Sequence, residues 1–589
     1  MFTILKSNNK IFIDVVVSHL VLGPSNRAVL NPSGCYIATL GVRIKGLSVS
    51  NTVHLLILPS PTVMGRAHSG YIAQNKENRF KILTVWSQEP TDLSTDPLGL
   101  GTRRITEDGI RVLGSPCGSE EYTRKFLDEA AEKIRVITEQ LPRLEDSMTS
   151  FILLRSCLGL TKANFLLRTV NTVKHSSSLV KIDEINREAI NTLVGAVLSP
   201  SSYQQAVLPV SLSGLGIKRC QDHSNCAFTA SILSSTKIIL KLIGSEVGNE
   251  VGDAPTDAPN DEDEDRAEEE ISDDEERVAR ALITPEVLAG LSADMGEEEE
   301  IQLNVLMAGG ANQRILARKI DEHLHRQLVN SFQDSVRDQA RIAGLCLPRT
   351  SDYLNCYPNR KLGIHLKSSE WCAVVKYRLN VPLYPADRRI CPACGNPEDA
   401  RADHALCCGS GSERIQRHNG ICSAIHNLAQ AGGLAPVREA RFLLPNGRKP
   451  GDVYIQYAGE GMLDLALDIS IVASLKSSML EQCVERPESV AESGYQRKIR
   501  SMGNQPQDHS FTFIPIVASC FGAWHPAAVT QIKKLIRAKC TRLGLDEAKT
   551  TAAEFRTLSV YLQRGNGRIL INRDIQYGDE PLTDVINDM

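Results

Sequence analysis

Between Ser245 and Glu300 the chain carries 22 Asp/Glu residues against three Lys/Arg, with Pro, Gly and Ala filling much of the space between them. Such a run cannot bury enough apolar surface to offset the entropy of ordering it, so a disordered acidic linker is expected over 245–302. It divides a chain of 589 residues into two stretches, each long enough to bury a core of its own. It also hides the charge of the rest. The net charge is −4, yet the residues outside the strip number 63 basic against 48 acidic, an excess of +15. A basic body with a detached acidic strip suits a polyanionic partner, most often nucleic acid.

Sixteen cysteines are mostly scattered singly, as at Cys35, Cys117, Cys157, Cys220 and Cys346, which fits a reduced intracellular protein better than a secreted disulfide scaffold. The opening MFTILKSNNKIFIDVVVSHLVLG is interrupted by Lys6, Lys10, Asp14 and His19, so it reads as neither a signal peptide nor a membrane span. A soluble protein, nuclear or cytoplasmic and without a membrane partner, is expected. Apolar residues at helical spacing run from Glu120 to Leu198, again from 311 to 345, and around Val529–Arg542.

One cluster breaks the scatter. CPACGNPEDARADHALCCGSGSERIQRHNG holds Cys391, Cys394, His404, Cys407, Cys408 and His418. A Cys-x2-Cys knuckle turns two thiolates onto one ion, and Pro392 and Gly395 suit that turn. His404 and one further donor complete a closed tetrahedral set for structural Zn2+. Cys408 is the expected fourth ligand, with Cys407 and His418 as competitors.

Downstream, GRKPGDVYIQYAGEGMLDLALDISIV reads as two short strands around a glycine turn. Leu463, Leu465, Leu467, Ile469 and Ile471 form one aliphatic face, and Asp464, Ala466, Asp468 and Ser470 the other. Asp452 lies opposite in direction to Val453 and Ile455. If the strands pair, Asp452 and Asp468 converge, and two close carboxylates need a proton or cation between them. Mg2+, with its preference for oxygen ligands and its retained waters, suits such a pair. ESGYQRKIRSM then reads as a helix carrying Lys498, an ammonium able to orient water or balance a phosphate. These parts make a kit for metal-dependent phosphodiester hydrolysis.

The order Cys-x2-Cys, DHALCC, RHNGI, RKPGDV, LDISIV and YQRKIR resembles the C-terminal part of non-LTR retrotransposon polyproteins, in which a CCHC zinc knuckle precedes a restriction-enzyme-like endonuclease of the PD-(D/E)XK superfamily. The likeness covers roughly 300–575. GIRVLGSPCGSEEY and QQAVLPVSLSGLGIKRC are similar to segments after the reverse-transcriptase palm and thumb. The resemblance implies Asp452 and Asp468 as magnesium carboxylates, Lys498 as the catalytic lysine on the following helix, Glu439 as an upstream acid, and Cys391, Cys394, His404 and Cys408 as zinc ligands. Two departures stand out: 30 residues separate Asp468 from Lys498, and Ser501-Met502 replaces the family's Lys-Tyr. The only Asp-Asp pair lies in SDDEE of the acidic strip, so no polymerase activity is expected.

The resemblance implies an α+β architecture. Its parts are a degenerate palm remnant at 1–105, a helical palm-end and thumb-like region at 106–244, the acidic linker at 245–302 and a helical connector at 303–388. A zinc knuckle at 389–420, a restriction-like endonuclease with a small mixed β-sheet flanked by helices at 421–545, and a C-terminal tail at 546–589 complete it. The implied function is a target-site DNA endonuclease using structural Zn2+ and catalytic Mg2+, with DNA as partner and element RNA left open. The alternative is a nucleic-acid-binding zinc protein whose catalysis has decayed.

Overall fold

The computed structural model describes residues 109–244, 273–297 and 301–575, apart from 386–389, 442 and 445–446, together with a few short strands before residue 109. The palm remnant expected at 1–105 and the linker over 245–272 therefore lie outside the described residues, those short strands excepted. The protein is α+β: helices predominate around one four-stranded mixed sheet.

Chain proximity divides the molecule into two units. The first comprises Met1–Lys133, Ala163–Lys181 and Cys220–Ile320. Its longest helix, Cys220–Gly244, packs against helices Asp273–Leu282 and Pro285–Met295. Both of the latter fall where the linker was expected to continue. There the acid run gives way to Val287, Leu288, Leu291 and Met295, which are all buried on one helical face. Pro285 opens that helix and Gly296 closes it in the left-handed conformation.

The second unit comprises Ile134–Lys162, Ile182–Arg219 and Asp321–Met589. One of its cores gathers Phe151, Leu154, Trp371, Tyr377 and Phe521. Ser147–Thr169 is long and apolar enough to cross a membrane, but it breaks into helices Ser147–Cys157 and Gly159–Thr169. Phe151, Ile152 and Leu154 of the first of these are core residues, so it reads as a buried helix of this unit.

The other core of this unit surrounds the sheet. Helix α1 (Ser412–Ala431) leads into strands β1 (Pro436–Arg438), β2 (Val453–Ile455) and β3 (Asp464–Val472). Helix α2 (Ser489–Met502) then crosses to β4 (Phe511–Ser519), and helices α3 (Pro526–Leu543) and α4 (Glu547–Ile575) follow. Strand order is β1-β2-β3-β4. The first three strands run antiparallel and β4 lies parallel to β3, which the α2 crossover permits. The face of β3 bearing Leu465, Leu467 and Ile469 packs onto Ile421 and Ile425 of α1, Ile532 and Ile536 of α3, and Phe555 and Leu558 of α4. Burying each such side chain stabilises by about 1.5–3 kcal/mol. The expected tail at 546–589 is thus, through Ile575, a core helix. Phe555, Leu558, Leu562 and Ile569 are buried at helical spacing along it.

Candidate functional site

The turn before β2 must pass close to β3. A Cβ on Gly451 would meet the Leu467 carbonyl oxygen at 2.7 Å, so only glycine lets the chain approach. The approach is sealed by the Asp452 amide, which donates to the Leu467 carbonyl at 2.8 Å. Val453 pairs with Leu467, so one step along the antiparallel register Asp452 stands opposite Asp468. Directly opposed residues have Cβ atoms about 4.5–5.5 Å apart. The Asp452 carboxylate also accepts the Ile469 amide at 2.8 Å, so it stitches the end of the ladder as well as facing the second acid.

Lys498 arrives from α2. That helix lies close on the sheet because Gly494 has no side chain: a Cβ there would meet Val472 at 2.8 Å and Val517 at 3.0 Å. One turn later, on the same helix face, Lys498 Nζ stands 2.8 Å from Asp468 Oδ2. The long gap in sequence between the two is spanned by helices that fold the lysine back over the strand.

Two further cations close the site. Lys449 Nζ lies 3.3 Å from Asp452 Oδ1 and 3.2 Å from Glu439 Oε1. Glu439 has φ +49°, in the left-handed region, and its amide donates to the Asp452 carbonyl at 3.0 Å. His418, on α1, places Nε2 3.0 Å from Asp452 Oδ2 and 3.2 Å from the Ile469 carbonyl oxygen. Burial works to raise the Asp452 pKa, but hydrogen bonds and charge from His418, the Ile469 amide and Lys449 prevail and hold it well below the usual carboxylate range. His418 is raised to about 10, chiefly by its hydrogen bond to Asp452. Burial pushes the Asp468 carboxyl up; Lys498 opposes this, while the neighbouring Asp452 carboxyl adds to it both by charge and by hydrogen bonding.

Asp452, Asp468, Lys498 and Glu439 thus come together where the chain enters β2 beside β3, with Glu439 joined through Lys449. Sequence reading missed Lys449 as a member, although its place three residues before Asp452 in RKPGD was a signal. It also missed the role of His418, which was weighed only as a zinc ligand.

The cysteine cluster is separate and local. Donor atoms of Cys391, Cys394, His404 and Cys408 all lie within 4.8 Å of one another, a set that could hold a metal such as zinc. The knuckle turn forms as its residues suggest: the Gly395 amide donates to the Cys391 carbonyl at 2.9 Å, with Gly395 at φ +73°. His404 Nε2 is 3.1 Å from Cys394 Sγ. Hydrogen bonding from the Asn396 amide, followed by His404 and the neighbouring thiols, lowers Cys394 to about 6 despite its burial cost, which favours the thiolate a metal requires. Cys408 is the fourth donor; Cys407 points outward and His418 belongs to the carboxylate site.

Comparison with protein-family models and with curated proteins gives no match for this chain.

Proposed function

We propose that the second unit is a metal-dependent endonuclease acting on DNA, with a restriction-endonuclease-like sheet and a zinc knuckle, as in the retrotransposon proteins that the sequence resembles. The observation that carries this reading is the pairing of Asp452 with Asp468 across β2 and β3, with the Lys498 amine 2.8 Å from Asp468. Asp452 and Asp468 would hold Mg2+, which supplies Lewis-acid activation of water and of a phosphate oxygen. The donor set fits: two facing carboxylates, one of them buried, with the half-exposed Glu439 acid nearby.

The remaining work falls to the chain's own groups. Burial raises the Asp468 carboxyl and Lys498 opposes that rise, while its amine is placed to bond an attacking water or a non-bridging phosphate oxygen. Lys449, half-exposed beside Asp452, offers a second cation to the phosphate. His418 and the Ile469 amide fix the Asp452 carboxylate so that it need not reorganise. The basic excess of the chain outside its acidic strip supplies sequence-independent grip on the backbone.

Supercoiled plasmid and Mg2+ give the test. Nicking by the native chain, with loss of about 100-fold or more in Asp452→Ala and in Asp468→Ala, supports the reading. Nicking that survives both substitutions overturns it. A second reading draws on the fact that every carboxylate here already pairs with a cation of the chain, an arrangement stable without metal. Salt-dependent retention of DNA without cleavage under any divalent ion would select that decayed, binding-only protein.

A further inference from the structure

His418 and Cys422 sit one turn apart on α1 and therefore share a face, turned toward Asp452 just before β2. One donor atom from each of the three lies within 4.8 Å of the other two. His418 Nε2 is 3.0 Å from Asp452 Oδ2 and 3.8 Å from Cys422 Sγ. Tetrahedral zinc with ligand bonds of about 2.0–2.3 Å separates its donors by roughly 3.3–3.6 Å, so small side-chain shifts close the set around one ion. Cys422 and Asp452 are buried, and only His418 is partly open to solvent.

The geometry points to a second metal site, His418–Cys422–Asp452, that takes a borderline-soft divalent cation such as Zn2+, Co2+ or Fe2+. Imidazole and thiolate select such ions over Mg2+, which prefers oxygen donors alone. Three protein ligands leave the fourth position to water or to a ligand, unlike the closed Cys3His set, which has four. The site uses Asp452 Oδ2 and leaves Oδ1, the oxygen facing Lys449, for other partners. On binding, the ion displaces the proton shared by His418 and Asp452 and the thiol proton of Cys422, so two protons pass to solvent for each ion held when His418 starts as imidazolium.

This site does not rest on the nuclease reading, and its test reads metal rather than cleavage. The full chain is stripped, refilled with Co2+, desalted, and assayed for bound cobalt and for thiolate-to-cobalt absorption. The native chain is expected to retain about two equivalents, one in each set. Cys422→Ser and, separately, His418→Gln are each expected to lose about one equivalent while keeping the strong absorption of the three-thiolate set. Cys394→Ser is expected to abolish that strong absorption and to leave the weaker, single-thiolate band. Retention of one equivalent by the native chain, or of two by both Cys422→Ser and His418→Gln, overturns the assignment.

Discussion

The two clusters of the second unit meet the same electrostatic problem in opposite ways. The Cys3His set draws all its donors from residues 391–408, a loop and one short helix, and offers no cation of its own among those four groups. The carboxylate site draws on α1, the approach to β2, β3 and α2, residues 418–498, and brings its cations with it: Lys449, Lys498 and His418. The helix of the Cys3His set packs Ala405 and Leu406 into the core of the unit, and the three thiols and the imidazole are left facing one another as a set that a metal such as zinc could bridge. Carboxylates paired with fixed amines on a packed sheet are held by the fold itself. The contrast separates donors that a metal could bridge from carboxylates whose charge the chain itself pairs.

The largest expected effect follows directly. Removing zinc with a chelator, or substituting Cys391→Ser, should lower the melting temperature by more than about 10 °C, because structural zinc contributes apparent binding energies of about 10–16 kcal/mol in small domains. Removing Mg2+ alone should leave it unchanged within about 1 °C. Calorimetry on both samples checks this, and equal sensitivity to the two treatments would erase the distinction.

Next in size is Asp452→Ala. It strips the acceptor from the Ile469 amide, His418 and Lys449 at once, and breaking a buried ion pair on one side costs about 3–5 kcal/mol. Urea unfolding should show that loss, whereas Asp452→Asn should recover part of it while remaining inactive. Lys498→Ala leaves Asp468 half-buried without its amine. A loss of about 1–3 kcal/mol is expected, together with a larger fall in nicking than in DNA retention.

The His418–Asp452 pair gives a pH signature. His418 is raised from 6.5 to about 10, so its contribution is full below pH 6.5 and fades as pH climbs to about 10. Asp452 is depressed below 3.8, so its contribution is full above that value and is lost as acid is added. With Mg2+ absent, the knuckle filled and the His418–Cys422–Asp452 set free of metal, the melting-temperature difference between the native chain and His418→Gln should be greatest between about pH 4 and 6.5 and should vanish near pH 10. The smallest effect is that of Lys449→Ala, whose half-exposed amine pairs with Glu439 and with Asp452 and is screened by solvent to about 1 kcal/mol. A loss as large as that of Asp452→Ala would place Lys449 at the centre of the network instead of its rim.

Local geometry was legible in advance. The knuckle could be read because its donors and its turn residues sit within one loop, and the two acids could be read because alternation along LDLALDISIV sets the faces of a strand. The α+β class, which the resemblance implied, is the class the structure has. The acidic run misled about 273–295 because the count of charges outweighed four apolar residues on one face, and the stretch after 546 read as a tail because its apolar residues are spread thinly over 29 positions of helix.

Sequence alone therefore determined which donors exist and how neighbours are oriented, since turn geometry and side-chain alternation act over a few residues. Only the tertiary fold decided which charges meet. Asp452 faces Asp468 through strand register, Lys498 reaches them because Gly494 lets α2 lie on the sheet, and His418 leaves the zinc set because α1 carries it to β2 and β3. Those contacts span 16 to 34 residues of chain, and packing, rather than any local preference, closes such distances.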